Sequence, residues 1–198
     1  MRLITLASNH PAELICLKEA LSLPEMWVHI RKPSISNKEQ DSYLCAFSDA
    51  EKERIVVHQK QDIAIDNGLI NLHLKSTERE RIKFYPQVKT GYLRLSTSTH
   101  SWTEFNELNS LFEAAFISPI YRSISKPGYG LKEQLALGME RQNKETKLIA
   151  LGGLNAQRLT ELKNKGFDDY ALCGAIWEAS NPLTEIIRCY KIIHSSSV

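Results

Sequence analysis

The absences in this sequence narrow its reading first. Its four cysteines, Cys16, Cys45, Cys173 and Cys189, lie far apart and form no Cys-x-x-Cys pair, which argues against a cysteine zinc site and a dense disulfide framework. Reduced, mostly buried thiols are the expectation. No stretch approaches the roughly 20 apolar residues of a membrane span. The brief apolar run near the N-terminus stops at Asn9-His10-Pro11, too short for the apolar region of a signal peptide. A soluble, cytoplasmic protein without membrane partners is therefore expected. Charge of one sign is missing too: 25 Lys and Arg against 23 Asp and Glu leave a net +2, with the basic residues scattered rather than gathered into a nucleic-acid-binding stripe. The most basic stretch, residues 77–83, alternates its signs, as a solvated helix face laced with local ion pairs does. No repeat, low-complexity tract or Pro/Ser-rich linker divides the chain, so residues 1–198 read as one domain.

What is present is alternation. Short β-branched or apolar runs at residues 3–7, 27–31, 54–58, 69–74, 92–96, 114–118, 147–151 and 169–173 are separated by helix-patterned stretches. The clearest of these are 12–21, 36–50, 102–111, 131–142, 156–165 and 183–194. The pattern predicts a parallel sheet covered by helices. Eight strand-helix units in one domain point to an α/β fold of the (β/α)₈ TIM-barrel type, although an open doubly wound sheet shares the same alternation. Asn155 is a candidate N-cap and Gly166 a candidate stop for the helix at 156–165. Pro86 argues against a long fourth helix, so one or two helices are expected to be short or missing. On the last helix, Ile186, Ile187 and Tyr190 either pack on the strands or form a homo-oligomer surface, and packing is the simpler expectation.

In such a barrel the working residues stand after the strands, and phosphate commonly binds after strands seven and eight. Gly152-Gly153 and Gly174-Ala175 occupy those positions, where small residues let backbone N–H groups approach an anion. Strand five runs into Ser96-Thr97-Ser98-Thr99-His100. His100 can exchange a proton near neutral pH and is the candidate acid/base, or else it caps the following helix. Arg31 and Lys32 follow strand two, and alternation aims at most one of them inward. The loop after strand six carries Arg122 and Lys126 among turn formers, a length typical of lids, with Lys126 able to clamp an anion. His58 and His73 end strands three and four. Without a carboxylate at ligand spacing, they read as hydrogen-bonded residues rather than metal ligands.

Taken in order, these segments resemble the family of thiamin phosphate synthase and the TenI-type thiazole tautomerases. Arg31-Lys32 is similar to that family's Arg-x-Lys region, Leu72-His73-Leu74 to its His-Leu-Gly and Ser96 to His100 to its Gly-x-Ser-x-His. Ser118-Pro119-Ile120-Tyr121 through Lys126-Pro127 and Gly130-Leu131 resembles its Gly-Pro-x-Phe, Thr-Lys and Gly-Leu run, and Ala150-Leu151-Gly152-Gly153-Leu154 its Ala-Ile-Gly-Gly-Ile. The resemblance spans strands two to eight.

The synthase joins a pyrimidine diphosphate to a thiazole phosphate, and the resemblance implies two aspartates that hold magnesium against the departing diphosphate. This sequence has His58-Gln59 in place of the expected Asn-Asp, and Lys75-Ser76-Thr77 where the second carboxylate is expected, with Glu78 the nearest acid. At least one magnesium ligand is thus lost, and Glu78 is left as the candidate for the other. The tautomerase needs no metal, only one acid/base and a phosphate cradle. By the resemblance, His100 carries the proton, while Gly152, Gly153, Gly174, Ala175 and Lys126 hold phosphate, with Arg31, Lys32 and Ser96 as further substrate contacts. The favoured expectation is a thiazole tautomerase of thiamin biosynthesis, with a magnesium-dependent synthase as the first alternative and a regulatory protein that binds the phosphorylated ligand without chemistry as the second.

Overall fold

The computed structural model describes residues 1–121 and 141–195. Eight parallel strands close into a barrel in chain order: β1 (Arg2–Ile4), β2 (Trp27–Ile30), β3 (Ile55–Val57), β4 (Asn71–Leu74), β5 (Arg94–Thr99), β6 (Phe112–Ile117), β7 (Lys147–Leu151) and β8 (Asp169–Leu172). β8 pairs with β1, matching Arg2 to Ala171, so no strand edge is left open. The helices are α1 (Glu13–Ser22), α2 (Asn37–Leu44), α3 (Asp49–Lys52), α4 (Gln61–Asp66), α5 (Trp102–Asn106), α6 (Ala156–Leu162), α7 (Gly174–Trp177) and α8 (Pro182–His194). The expected barrel is present. Among the described residues no helix is long and apolar enough to cross a membrane.

Strand alternation divides the core into two regions, because successive side chains point to opposite faces. Outward residues such as Leu3, Val28, Ile55, Val57, Leu72, Leu95, Ala115, Leu148 and Leu172 join Leu17, Leu21, Leu159 and Ile186 from the helices in one buried layer. Inside the barrel, Ile4, Ala114, Phe116, Ile149 and Ala171 form a separate apolar cluster. The opposite wall, from β2 to β5, instead carries His29, His58, His73 and Ser96, all buried. One half of the interior is apolar and the other is imidazole and hydroxyl.

Several element boundaries depart from expectation. The stretch 36–50 is two helices, because Ser36 with Glu39 and Ser48 with Glu51 each form a capping box that starts a new helix. β5 runs later than expected: its Ser/Thr run is strand, with Thr97 and Thr99 donating their hydroxyls to the Leu74 and Phe116 carbonyls. Asn155 caps α6 as expected, accepting from the Arg158 N–H. The helix ends at Leu162 rather than running to Gly166, because Lys163 is already extended and Asn164 left-handed. The helix expected at 102–111 is the short α5. Between β4 and β5 stand the 3₁₀ segments Ser76–Phe84 and Pro86–Val88 in place of a full helix. The helix expected at 131–142 lies almost wholly outside the described residues, as do Arg122 and Lys126. None of the four cysteines is in a disulfide, and Cys45 is exposed, not buried. On α8, Ile186 is buried in the core while Ile187 is exposed.

Candidate functional site

A cavity of about 440 Å³ opens at the C-terminal ends of the strands. Arg31, His58, His73, Lys75, Ser98 and His100 line one side, and Gly152, Gly153, Gly174 and Ala175 the other. Its floor is apolar, built from Ile4, Phe116 and Ala171. The two small-residue turns and His100, singled out in sequence as separate motifs, are thus brought into one site.

His100 stands just past the end of β5, and its geometry decides which of its nitrogens is available. Nδ1 lies 3.0 Å from the Ser118 carbonyl, which can only accept, so Nδ1 carries the proton. A neutral His100 therefore has its lone pair on Nε2. The backbone N–H of His100 is held by Glu104 at 2.5 Å. Glu104 in turn is ion-paired with Arg79 at 2.8 Å, and Arg79 also donates to the Thr97 hydroxyl and the Ser98 carbonyl. Arg79 belongs to the sign-alternating stretch expected to be a solvated face. One of its cations instead braces the strand that carries His100. Sequence spacing gave no sign of this, because the 3₁₀ segment brings Arg79 to β5 only through tertiary packing.

The glycine turn after β7 has a packing reason as well. Gly152 has φ +106°, and a Cβ there would stand 2.9 Å from the Pro119 Cα. Tyr121 donates to the Gly152 carbonyl at 3.1 Å, closing the β6 loop onto this turn. From behind, Arg158 holds the Gly153 carbonyl and lies over the Tyr121 ring. Gly152→Ala is therefore expected to cost about 1–3 kcal/mol through strain and displacement of the loop. A urea midpoint matching the parent protein would contradict this close approach. Gly174 and Ala175 open α7, where the first N–H groups have no partner inside the helix.

Arg31 faces the cavity, while Lys32 does not. Lys32 points outward, buried between barrel and helices, 2.7 Å from Glu13 and 2.6 Å from the Ser8 carbonyl. Tyr43 donates to the other Glu13 oxygen at 2.7 Å. The expectation that Lys32 contacts substrate is thus corrected to a structural ion pair, consistent with alternation aiming only one of the two cations inward. Glu13→Ala leaves the Lys32 ammonium buried without its counter-charge, and an expected 3–5 kcal/mol of stability is lost. Chemical denaturation checks it: the Glu13→Ala/Lys32→Met double variant recovers most of that loss, and an equal loss in both would sink the electrostatic account.

Ser96 is also displaced from its expected role. It lies buried inside the barrel, where it donates to the Leu72 carbonyl at 3.3 Å and accepts from His73 Nδ1 at 3.0 Å. The cavity hydroxyl on this strand is Ser98, two residues further on, 2.9 Å from His73 Nε2. His73 therefore has both nitrogens occupied and serves as a wall rather than a proton carrier. The alternation of β5 could have singled out Ser98 over Ser96, had the strand been placed two residues later.

His29, not selected from sequence, completes an imidazole cluster with His58 and His73, whose ligand-capable nitrogens lie within 4.8 Å of one another. Two features oppose a metal there. The His58 and His73 rings are stacked 4.1 Å apart at 22°, so their in-plane lone pairs run nearly parallel instead of converging. His29 Nε2 faces the Arg2 guanidinium at 3.3 Å, where a ligating imidazole would need an acceptor for its second N–H. All three imidazoles have pKa values held below the ordinary range, chiefly by burial, with His73 brought down to about 3.

Magnesium fits the site no better. Among the described residues the cavity lining contains no Asp or Glu, and a hard cation prefers oxygen ligands. Glu78 turns away, accepting from the Lys75 N–H at 3.3 Å and pairing with Arg81 at 3.7 Å. Lys75 itself occupies the lining. The cavity is thus suited to an anion through the cations Arg31 and Lys75 in its lining.

No family model and no curated protein matches the sequence. Solved structures do match in fold. Thiamine phosphate pyrophosphorylase from Bacteroides thetaiotaomicron superposes with a TM-score of 0.79 at 21% identity, over 100% of this chain and 99% of that one. Thiamine phosphate pyrophosphorylase from Pyrococcus furiosus gives 0.73 at 17%, over 97% and 94%. The 3-hexulose-6-phosphate synthase from Salmonella typhimurium gives 0.67 at 12%, over 97% of each chain. At these identities the likeness is one of fold, and the first two carry the name of the family that the sequence motifs resemble.

Proposed function

We propose that this chain is an enzyme of thiamin biosynthesis that binds a thiazole phosphate at the barrel mouth and moves a proton on it, as TenI-type tautomerases do. The observation that carries the reading is His100, whose Nδ1–H is committed to the Ser118 carbonyl so that Nε2 is the proton acceptor at a cavity with cationic lining. In the proposed reaction Nε2 takes a proton from the substrate, the resulting imidazolium is steadied by Ser118, and the proton returns at a second position. The substrate is isomerised with no atom gained or lost. Phosphate sits against the N–H groups of Gly152, Gly153, Gly174 and Ala175. Lys75 and Arg31 neutralise a second anionic group such as a carboxylate. The reading needs no metal and is that of a cytoplasmic enzyme.

The second reading is a synthase joining pyrimidine diphosphate to thiazole phosphate, favoured by the fold likeness to two thiamine phosphate pyrophosphorylases. Calorimetric titration separates the two. Thiazole phosphate binding without magnesium, and silence toward the pyrimidine diphosphate, is expected. Magnesium-dependent binding of the diphosphate would restore the synthase, and no response to either would overturn the thiamin assignment.

A further inference from the structure

The buried imidazoles are joined in a directional hydrogen-bond chain that begins at the opposite end of the barrel. Asp169 holds the Arg2 guanidinium at 3.0 Å. Arg2 places Nη1 3.3 Å from His29 Nε2, and His29 Nδ1 lies 3.0 Å from His58 Nε2. Arginine has donors only, so His29 Nε2 must accept, and the proton of neutral His29 stands on Nδ1. That N–H can only donate to His58 Nε2, so neutral His58 carries its own proton on Nδ1. Among the described residues no hydrogen bond engages His58 Nδ1, yet no buried side-chain nitrogen lacks a partner. Nδ1 is therefore the part of His58 that reaches the cavity it lines.

We infer that His58 presents a fixed Nδ1–H donor to the ligand, its tautomer set from the far end of the barrel by Arg2 acting through His29. Arg2 and His29 are positioning residues, since neither lines the cavity. His58 faces an acceptor atom of the ligand, such as a carboxylate, carbonyl or ring nitrogen. It does so as a neutral imidazole, since burial and the neighbouring cations disfavour its charged form. The site then has two imidazoles of opposite sense: His100 with a lone pair available and His58 with a proton held ready. The identity of the ligand rests on the function proposed above, whereas the tautomer does not.

The test is two-bond ¹H–¹⁵N correlation of the imidazoles in uniformly labelled protein at neutral pH. His29 and His58 are expected as pure Nδ1–H tautomers, with pyridine-type Nε2 signals. Arg2→Met removes the donor and shifts His58 to a tautomer mixture, while Arg2→Lys, which also only donates, restores the parent pattern. Because Arg2 also pairs with Asp169, His29→Phe serves as the second variant, expected to produce the same mixture. His58 found as Nε2–H or doubly protonated in the parent, or unmoved in His29→Phe, would overturn the inference, as would zinc binding that broadens these signals. Thiazole phosphate affinity is read in parallel and is expected to fall roughly threefold to tenfold in His29→Phe. No thiazole phosphate binding in a parent protein with the expected tautomers would refute the proposed ligand alone.

Discussion

Between pH 6.5 and 5 the stability of this barrel is expected to fall steeply, well before its carboxylates begin to protonate. His29, His58 and His73 are buried and held neutral, with pKa values below the ordinary range. In the unfolded chain they titrate near 6.5. Below that pH the unfolded state binds more protons than the folded state, so stability rises with pH up to about 6.5 and is flat above it. The stabilisation is present above the unfolded value and is lost as the pH drops toward the folded values, about 3 for His73. Each such imidazole costs roughly 1 kcal/mol per pH unit in this window. Three acting together can consume a large part of a typical folding stability of about 5–15 kcal/mol within two units. Urea unfolding at half-unit steps from pH 7.5 to 5 checks this: a flat profile across that range would show that the imidazoles accept protons in the folded state.

His100→Ala is expected to lower turnover of the proposed thiazole phosphate substrate by roughly 10²- to 10⁴-fold, the usual contribution of a positioned acid/base. His100 is exposed at the cavity, held by one bond to the Ser118 carbonyl and one from its own backbone N–H. Its loss is therefore expected to cost stability little, and affinity for thiazole phosphate less than about tenfold. The phosphate contacts proposed at the β7 and β8 turns do not involve it. Turnover and calorimetry on the same preparation separate the outcomes. Lost turnover with retained binding identifies the proton carrier. Retained binding with no measurable turnover even in the parent protein would favour a regulatory binder of the same ligand.

Much of the site was legible from sequence because strand ends in a barrel all open on one face. Once eight strands are placed, Gly152, Gly174 and His100 must meet, whatever the helices do. Alternation also limited Arg31 and Lys32 to one inward side chain, and Arg31 is the one that faces the cavity. Ser96 was misplaced because a Ser/Thr run reads as loop. Only in the barrel do its hydroxyls find strand carbonyls to bond, which lets the run continue as β5 and moves the cavity hydroxyl to Ser98. Glu78 was chosen as the nearest acid along the chain, but the 3₁₀ segment that follows β4 turns it toward Lys75 and Arg81.

The sequence by itself determined the alternation of strands and helices, the assignment of successive strand residues to opposite faces and the small-residue turns after β7 and β8. These are set by local periodicity and backbone sterics, which each segment carries alone. Only the tertiary structure decided that Lys32 pairs with Glu13, that Arg79 braces His100 through Glu104, and that three histidines from separate strands share one interior. Lys32 and Glu13, Arg79 and Glu104, and His29 and His58 lie 19 or more residues apart along the chain. Their energies depend on burial and on the direction of each hydrogen bond, quantities that exist only once the barrel has closed.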